Sequence, residues 1–268
     1  MTRILVTGGT GRAGRPVVAR LRDDGADLRV LSHTRQGTVD GVEYVKADLV
    51  TGAGAGDALR GADVIIHCAG TPSYRKDQAI TANLIQAARA ADPAPHLVKI
   101  SVVGADRVPV ASLADKAMFG YFASMRVTER AIEASGLPWT ILRATQFYDA
   151  LVLVGRAMAR LPVVPVASGV RFQPVDTRDV ADRLTELALG APAGMAPDFG
   201  GPVAYPMAEL LGGYLRAAGK WRPLVPVRPA GKAGRAVRGG ANLPGADATL
   251  GRRTWEDFLA EDAFPCER

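Results

Sequence analysis

The chain has 268 residues, 48% of them hydrophobic and 22% charged, with a net charge of +6. That length buries a sizeable core, and the composition excludes a disordered, collagenous or repeat protein. Two cysteines, Cys68 and Cys266, make no disulfide framework and read as free thiols in a reducing compartment, and three scattered histidines argue against a protein-built metal site.

In chain order, RILVT (3–7), LRVLS (28–32), VEYVK (42–46), DVIIHC (63–68), HLVKIS (96–101) and WTILRA (139–144) are predicted strands. Most are nearly continuous apolar runs, the pattern of strands covered on both faces. Helices are predicted between them. RPVVARLRDDG puts Val17, Val18 and Leu21 on one face and stops at Gly25. DQAITANLIQAARAAD (77–92) and ASMRVTERAIEASG (123–136) follow the same logic. Beyond residue 150 prolines become frequent, and helices are predicted at 176–190, 207–219 and 254–262.

The alternation implies an α/β fold: a doubly wound, parallel Rossmann-type sheet with helices on both faces. The expected organisation is a nucleotide-binding core over 1–150 and a small substrate-side region over 151–268, packed on it as one compact unit. No signal-peptide layout precedes RILVTGG, and the longest apolar stretch, 151–167, is interrupted by Arg156 and Arg160. A cytoplasmic protein with no membrane partner is expected. The basic stretch 220–238 lacks any recognised nucleic-acid motif, so a solvated segment beside an anionic ligand is favoured over a nucleic-acid surface.

The stretch VTGGTGRAGRPVV, between the first strand and first helix, carries Gly8, Gly11 and Gly14, with Thr10, Arg12 and Ala13 among them. Glycines let a backbone approach a diphosphate, and the helix N-terminus offers unpaired N–H groups to its charge. A dinucleotide is the expected cofactor. The second strand ends in Ser32, His33, Thr34 and Arg35 rather than in an acid. A carboxylate there would hold the ribose of NAD, whereas Arg35, with Arg12, would pair with a 2′-phosphate. NADP(H) is therefore expected over NAD(H).

These features resemble the short-chain dehydrogenase/reductase superfamily, and within it the atypical, NmrA-like NAD(P)H-binding branch. VTGGTGRAG, KADL (46–49), HLVKISVVGADR (96–107), SGLPWTILRATQF (135–147), QPVDTRDVADRL (173–184) and TWEDFL (254–259) carry the resemblance. It implies that Asp48 and Leu49 lie near the adenine, that Cys68, Ala69 and Gly70 line the cofactor, and that Ala144, Gln146 and Phe147 pass the nicotinamide.

In the superfamily's reductases a tyrosine donates the proton, a serine polarises the carbonyl, and a lysine four residues after the tyrosine holds the ribose. Tyr121 and Ser101 take the first two places, and Met125 stands in the third. Residues i and i+4 share a helical face, so the geometry survives while the charge does not. An unassisted tyrosine has a pKa near ~10, which disfavours oxidation of an alcohol more than reduction of a carbonyl.

Three functions follow: an NADPH-dependent reductase of a small carbonyl, quinone or enone; a non-catalytic NADP(H) sensor with a regulatory protein partner; and a redox-neutral dehydratase, cyclase or epoxide-opening enzyme using Tyr121, Asp149 or Glu129. Phe119, Phe122, Phe147, Tyr148 and Phe172 are candidates for a pocket that takes an apolar or aromatic substrate. The oligomeric state is left open.

Overall fold

A computed structural model describes residues 2–71 and 73–261. In chain order they form β1 (Arg3–Thr7), α1 (Gly14–Asp23), β2 (Asp27–Ser32), β3 (Gly37–Val39), β4 (Val42–Lys46), α2 (Ala55–Leu59), β5 (Val64–His67), α3 (Tyr74–Arg89) and β6 (His96–Val102). Next come α4 (Leu113–Glu133), β7 (Trp139–Ala144), α5 (Tyr148–Met158), β8 (Val164–Ala167), β9 (Arg171–Phe172) and α6 (Thr177–Leu189). The last are β10 (Gly194–Met195), β11 (Phe199–Gly200), β12 (Tyr205–Pro206), α7 (Met207–Ala217), β13 (Leu224–Val227), α8 (Gly231–Arg238), β14 (Thr249–Leu250) and α9 (Trp255–Glu261). Cys266 and Asp262 lie outside the described residues. Among those described, no helix is long and apolar enough to cross a membrane.

The chain divides into two units. The first takes Met1–Ser101, Ala123–Arg143 and Val180–Ala196. Its sheet runs β3-β4-β2-β1-β5-β6-β7, with β10 alongside β7. All pairs with a described register are parallel except β3 with β4. Strands β1, β2, β5, β6 and β7 are buried on both faces, as their unbroken apolar runs require, whereas β3 is exposed and β4 half-buried. Leu5, Leu31, Ile65, Leu97 and Ile141 face a core that includes Ile80 and Leu84 of α3 and Ile132 of α4. Strand residues alternate, so Ile4, Val6 and Val30 turn to the opposite face. There α1 buries Val17 and Leu21, and Arg20 of α1 pairs with Asp182 of α6. The sheet is thus mostly parallel with helices around it, the α/β class that the alternation implied.

The second unit takes Val102–Phe122, Ala144–Asp179 and Pro197–Arg268. Its core gathers Tyr148 and Val152 of α5, Val164 and Val166 of β8, Leu210, Leu211 and Tyr214 of α7, and Trp255. Tyr148 is fully buried, donates its hydroxyl to the Arg253 carbonyl at 2.8 Å and lies 5.3 Å from the Trp255 ring. It is core, not pocket lining. The apolar stretch 151–167 divides between helix α5 and strand β8.

Helix α4 begins ten residues before the predicted Ala123. Ser112 and Asp115 cap it reciprocally: the Ser112 hydroxyl accepts the Asp115 N–H at 3.0 Å, and the Asp115 carboxylate accepts the Ser112 N–H at 3.0 Å. Lys116 is therefore helical.

Candidate functional site

Strand order reverses at β1, with β2 on one side and β5 on the other. In open α/β sheets the crevice beyond the carboxyl ends of such a strand pair is where ligands bind. Two loops leave that point in the first unit, 8–13 after β1 and 68–73 after β5. Gly8 has φ +71°, and a Cβ on it would sit 2.5 Å from the Ala69 nitrogen. A Cβ on Gly14 would sit 2.2 Å from the Gly8 carbonyl oxygen. The loop is closed by the Gly11 N–H donating to Gly8 O at 2.9 Å and the Arg15 N–H to Gly11 O at 3.0 Å. These approaches explain why glycine stands at these positions. Thr10, Gly11 and Arg12 are exposed, Ala13 is buried, and the first turn of α1 holds no acid. Its free N–H groups therefore face no competing carboxylate.

At the end of β2 the Ser32 hydroxyl accepts the N–H groups of Thr34 at 3.3 Å and Arg35 at 3.0 Å, turning the chain. The Arg35 guanidinium sits 5.5 Å over the Tyr44 ring. His33 Nδ1 lies 3.8 Å from the Asp48 carboxylate. The Val50 N–H, with help from Thr51 and His33, holds the Asp48 carboxyl below its usual value. Leu49 is buried, and its carbonyl accepts from Asn83 at 2.9 Å.

After β5, Cys68 and Ala69 are half-buried and Gly70 is exposed. Burial pushes the Cys68 thiol up to about 12, against a smaller opposing pull from Lys99. It is a neutral thiol at neutral pH. His67 is fully buried, with Nδ1 2.7 Å from the Thr7 hydroxyl and Nε2 without a partner among the described residues. Burial, helped by Lys99, keeps its ring neutral.

Lys99 is the charged residue that sequence reading passed over. It stands opposite His67 in the β5–β6 register and is almost wholly buried. Burial lowers its ammonium pKa, while Asp77, Cys68 and Glu129 counter that. Asp77 accepts the Thr71 N–H at 2.7 Å and the Ser124 hydroxyl at 3.4 Å, and burial raises its carboxyl pKa. The signal was there: one lysine inside an otherwise apolar strand.

Ser101 lies at the end of this unit's chain on β6, and its hydroxyl donates to Glu129 Oε1 at 2.6 Å. Arg143 clasps the same carboxylate at 2.8 Å through Nε and at 2.8 Å through Nη2. Arg126 adds a contact at 3.1 Å and reaches Glu133 at 2.6 Å. Glu129 is fully buried. Burial alone would raise its carboxyl, but Arg143, Ser101 and Arg126 hold it below the usual value. An ion-paired, inaccessible carboxylate is not placed for acid–base work. Met125, one turn before it on α4, is 4% exposed.

In the second unit Tyr121 is exposed, with its ring 6.4 Å from Phe122. Phe119, Phe122 and Phe172 pack against Val108, Val170 and Val237. Ala144 is buried and pairs with Phe199 of β11. The Gln146 carbonyl accepts the Val175 N–H at 2.9 Å, while its side-chain Oε1 is buried without a partner among the described residues. Phe147 is half-buried and bridges to Val175. Asp149 accepts from the Thr177 hydroxyl at 3.1 Å.

Residues 8–188 match the model of the NAD(P)H-binding family. The chain is 32% identical over 184 residues to (4-alkanoyl-5-oxo-2,5-dihydrofuran-3-yl)methyl phosphate reductase of Streptomyces griseus, covering 66% of this chain and 60% of that protein. It is 33% identical over 195 residues to ceramide reductase of Caulobacter vibrioides, covering 68% and 59%. The chain thus spans about three fifths of the length of these curated relatives. Among solved structures, an NADPH-dependent quinone oxidoreductase of Escherichia coli superposes with a TM-score of 0.73 at 17% identity, covering 96% of this chain and 98% of that one. A nucleoside-diphosphate-sugar epimerase of Staphylococcus aureus gives 0.77 at 17% identity, covering 97% and 100%. These two likenesses establish the fold. The matched family model spans most of the chain, including the glycine loop and the β5 end that closes on it, and the chain therefore belongs to the NAD(P)H-binding family, among the atypical short-chain dehydrogenase/reductases that its motifs resemble.

Proposed function

We propose that the protein is an NADPH-dependent reductase of a small carbonyl, quinone or enone with an apolar or aromatic body. The observation that carries the reading is the backbone cradle at the switch point: Gly8 presses on Ala69, and no acid guards the first turn of α1. Such a cradle fits a diphosphate. The curated relatives reported above are both named as reductases, one of an alkanoyl-bearing phosphate ester and one of ceramide.

When bound, the reduced nicotinamide supplies a hydride. This chain's residues do the rest. Gly8, Thr10, Gly11, Arg12, Ala13 and Gly14 hold the diphosphate. Arg35, turned by Ser32 and flanked by His33, meets the 2′-phosphate. Asp48 and Leu49 bound the adenine side, and Cys68 to Gly70 form an uncharged wall. Gln146 Oε1, buried and unpartnered among the described residues, offers an acceptor to an amide of the ligand, beside Ala144 and Phe147. Tyr121 gives the proton. Ser101 is left with a structural part, because its hydroxyl is committed to the buried Glu129 carboxylate.

Two measurements test this. Tyr121→Phe should lower kcat by about 10²–10⁴-fold while dinucleotide affinity is kept, read by steady-state kinetics against a ketone and quinone panel. Full turnover in that variant would remove Tyr121 from the chemistry. Arg35→Ala should weaken NADPH about tenfold, near the worth of one charge-assisted pair, and leave NADH unchanged. Equal losses for both would remove the assigned preference.

A second reading, an NADP(H) sensor with a regulatory protein partner, is favoured by Met125, which is buried where a lysine would serve catalysis. Tight NADPH binding with no turnover on the panel, and partner capture that follows the NADP⁺/NADPH ratio, would select it. A redox-neutral chemistry has less support, because Glu129 is spent in ion pairs and Asp149 accepts from Thr177.

A further inference from the structure

The second unit carries a face whose charge and apolarity the dinucleotide chemistry does not use. Segments 150–175 and 210–246 together hold ten arginines and lysines and no aspartate or glutamate. The chain's net charge is +6, so the remaining residues are together net acidic. The two segments are brought side by side by β8 and β13, which pair in parallel from Val164↔Leu224 to Ala167↔Val227.

At the entrance to this strand pair the cations and apolar groups converge. Arg222 Nε donates to the Leu161 carbonyl at 3.0 Å, and its Nη1 to the Trp221 carbonyl at 2.7 Å. A shallow cavity of about 320 Å³ is lined by Arg160, Leu161, Pro162, Trp221, Arg222 and Pro223. The Trp221 side chain is 80% exposed. Leu161 of that lining is exposed, and so are Val163, Val225 and Val227 along the strand pair that leads away from it. Scattered single apolar residues on a surface need no explanation, but several exposed along one strand pair that starts beside an exposed indole do.

Charge and composition decide what covers it. A second copy in a two-fold arrangement would set the same cations against each other, which opposes self-association. Nucleic acid would take the cations and stack on the indole, but it offers nothing to four exposed aliphatic side chains. An anionic lipid surface uses all three features. Phosphates attract Arg160, Lys220 and Arg228, the aliphatic groups reach the acyl boundary, and an indole prefers the headgroup level. We propose that the β8–β13 face, centred on Trp221 and Arg160, docks this protein peripherally on an anionic lipid surface.

Co-sedimentation with vesicles tests the proposal. The whole chain should pellet with phosphatidylcholine vesicles that contain phosphatidylglycerol, not with phosphatidylcholine alone, and raised salt should release it. The double variant Arg160→Glu, Lys220→Glu should weaken binding at least about 25-fold, near fivefold for each cation removed. Trp221→Ala should also weaken it and abolish the blue shift of tryptophan emission on mixing. Both variants change exposed side chains, so unaltered thermal midpoints and NADPH binding are the expected controls. Equal pelleting with neutral and anionic vesicles, or none with either, overturns the proposal. So does tighter binding to duplex DNA than to the anionic vesicles, or a concentration-dependent dimer lost in Trp221→Ala.

Discussion

Glu129→Ala is expected to destabilise the protein by about 3–5 kcal/mol, the cost of removing the carboxylate from a buried ion pair. The residue left behind is Arg143, only 8% exposed, which would lose both arms of its grip on the carboxylate. Ser101 would lose its acceptor as well. Thermal unfolding should show a midpoint lowered by about 10 °C for a chain of this size. The double variant Glu129→Leu, Arg143→Met should recover part of that loss, because an apolar pair closer in volume replaces the buried ions. If the single variant unfolds like the parent, the network is ornamental and the buried carboxylate is free for another task. The pH dependence has a definite sign. The folded Glu129 carboxyl titrates below its ordinary 4.5, so its contribution is complete above that value and is lost as pH falls through the folded pKa. Asp176, held down by Arg178 and Arg253 against its burial, behaves likewise in the second unit. Asp77 runs the other way, since burial raises its pKa and ionisation therefore costs stability. Glu129→Gln should flatten the acid limb; an unchanged acid profile would assign that limb to other carboxylates.

Gly11→Val is expected to weaken dinucleotide capture sharply while sparing the fold. Gly11 is exposed, lies outside the left-handed region, and a Cβ there would meet only the Gly8 oxygen at 3.1 Å. The branched side chain would fill the concave side of the loop, where a diphosphate must touch backbone. Calorimetry should register a loss of about 100-fold in NADPH affinity, near 2.7 kcal/mol, with an unchanged melting profile. Gly8→Ala and Gly14→Ala make the useful contrast. Their added carbons would lie 2.5 and 2.2 Å from backbone atoms, so the turn itself must shift and stability falls together with binding. Wild-type affinity in Gly11→Val would mean that the ligand does not lie across this loop.

The strands and the glycine loop were legible because both are local. An apolar run of five residues announces a covered strand, and glycine between a strand and a helix announces close approach. What escaped depends on distance or on small signals. The Ser112–Asp115 box starts α4 early, but it precedes a stretch rich in aromatic residues and glycine that reads as loop. Helix α5 was hidden because Tyr148, Val152 and Gly155 face a core supplied by α7 and α9, which lie far along the chain. The pairing of Glu129 with Arg143 joins a helix to a strand, so no spacing rule foretells it. Ser101 was legible as a position and misleading as a chemical group, since its hydroxyl is committed to Glu129. Lys99 was visible as an anomaly in β6; only the fold sets it among His67, Cys68 and Asp77.

The two units interleave along the chain, and this has a consequence for synthesis. The nucleotide-binding unit needs Val180–Ala196, which supplies β10 and most of α6. A nascent polypeptide halted near residue 150 would have its glycine loop and six of its parallel strands, yet lack the helix that lies beside α1. Translation must therefore pass well beyond the last of these strands before the first unit can close, and a fragment expressed to that point should be chaperone-bound rather than independently folded.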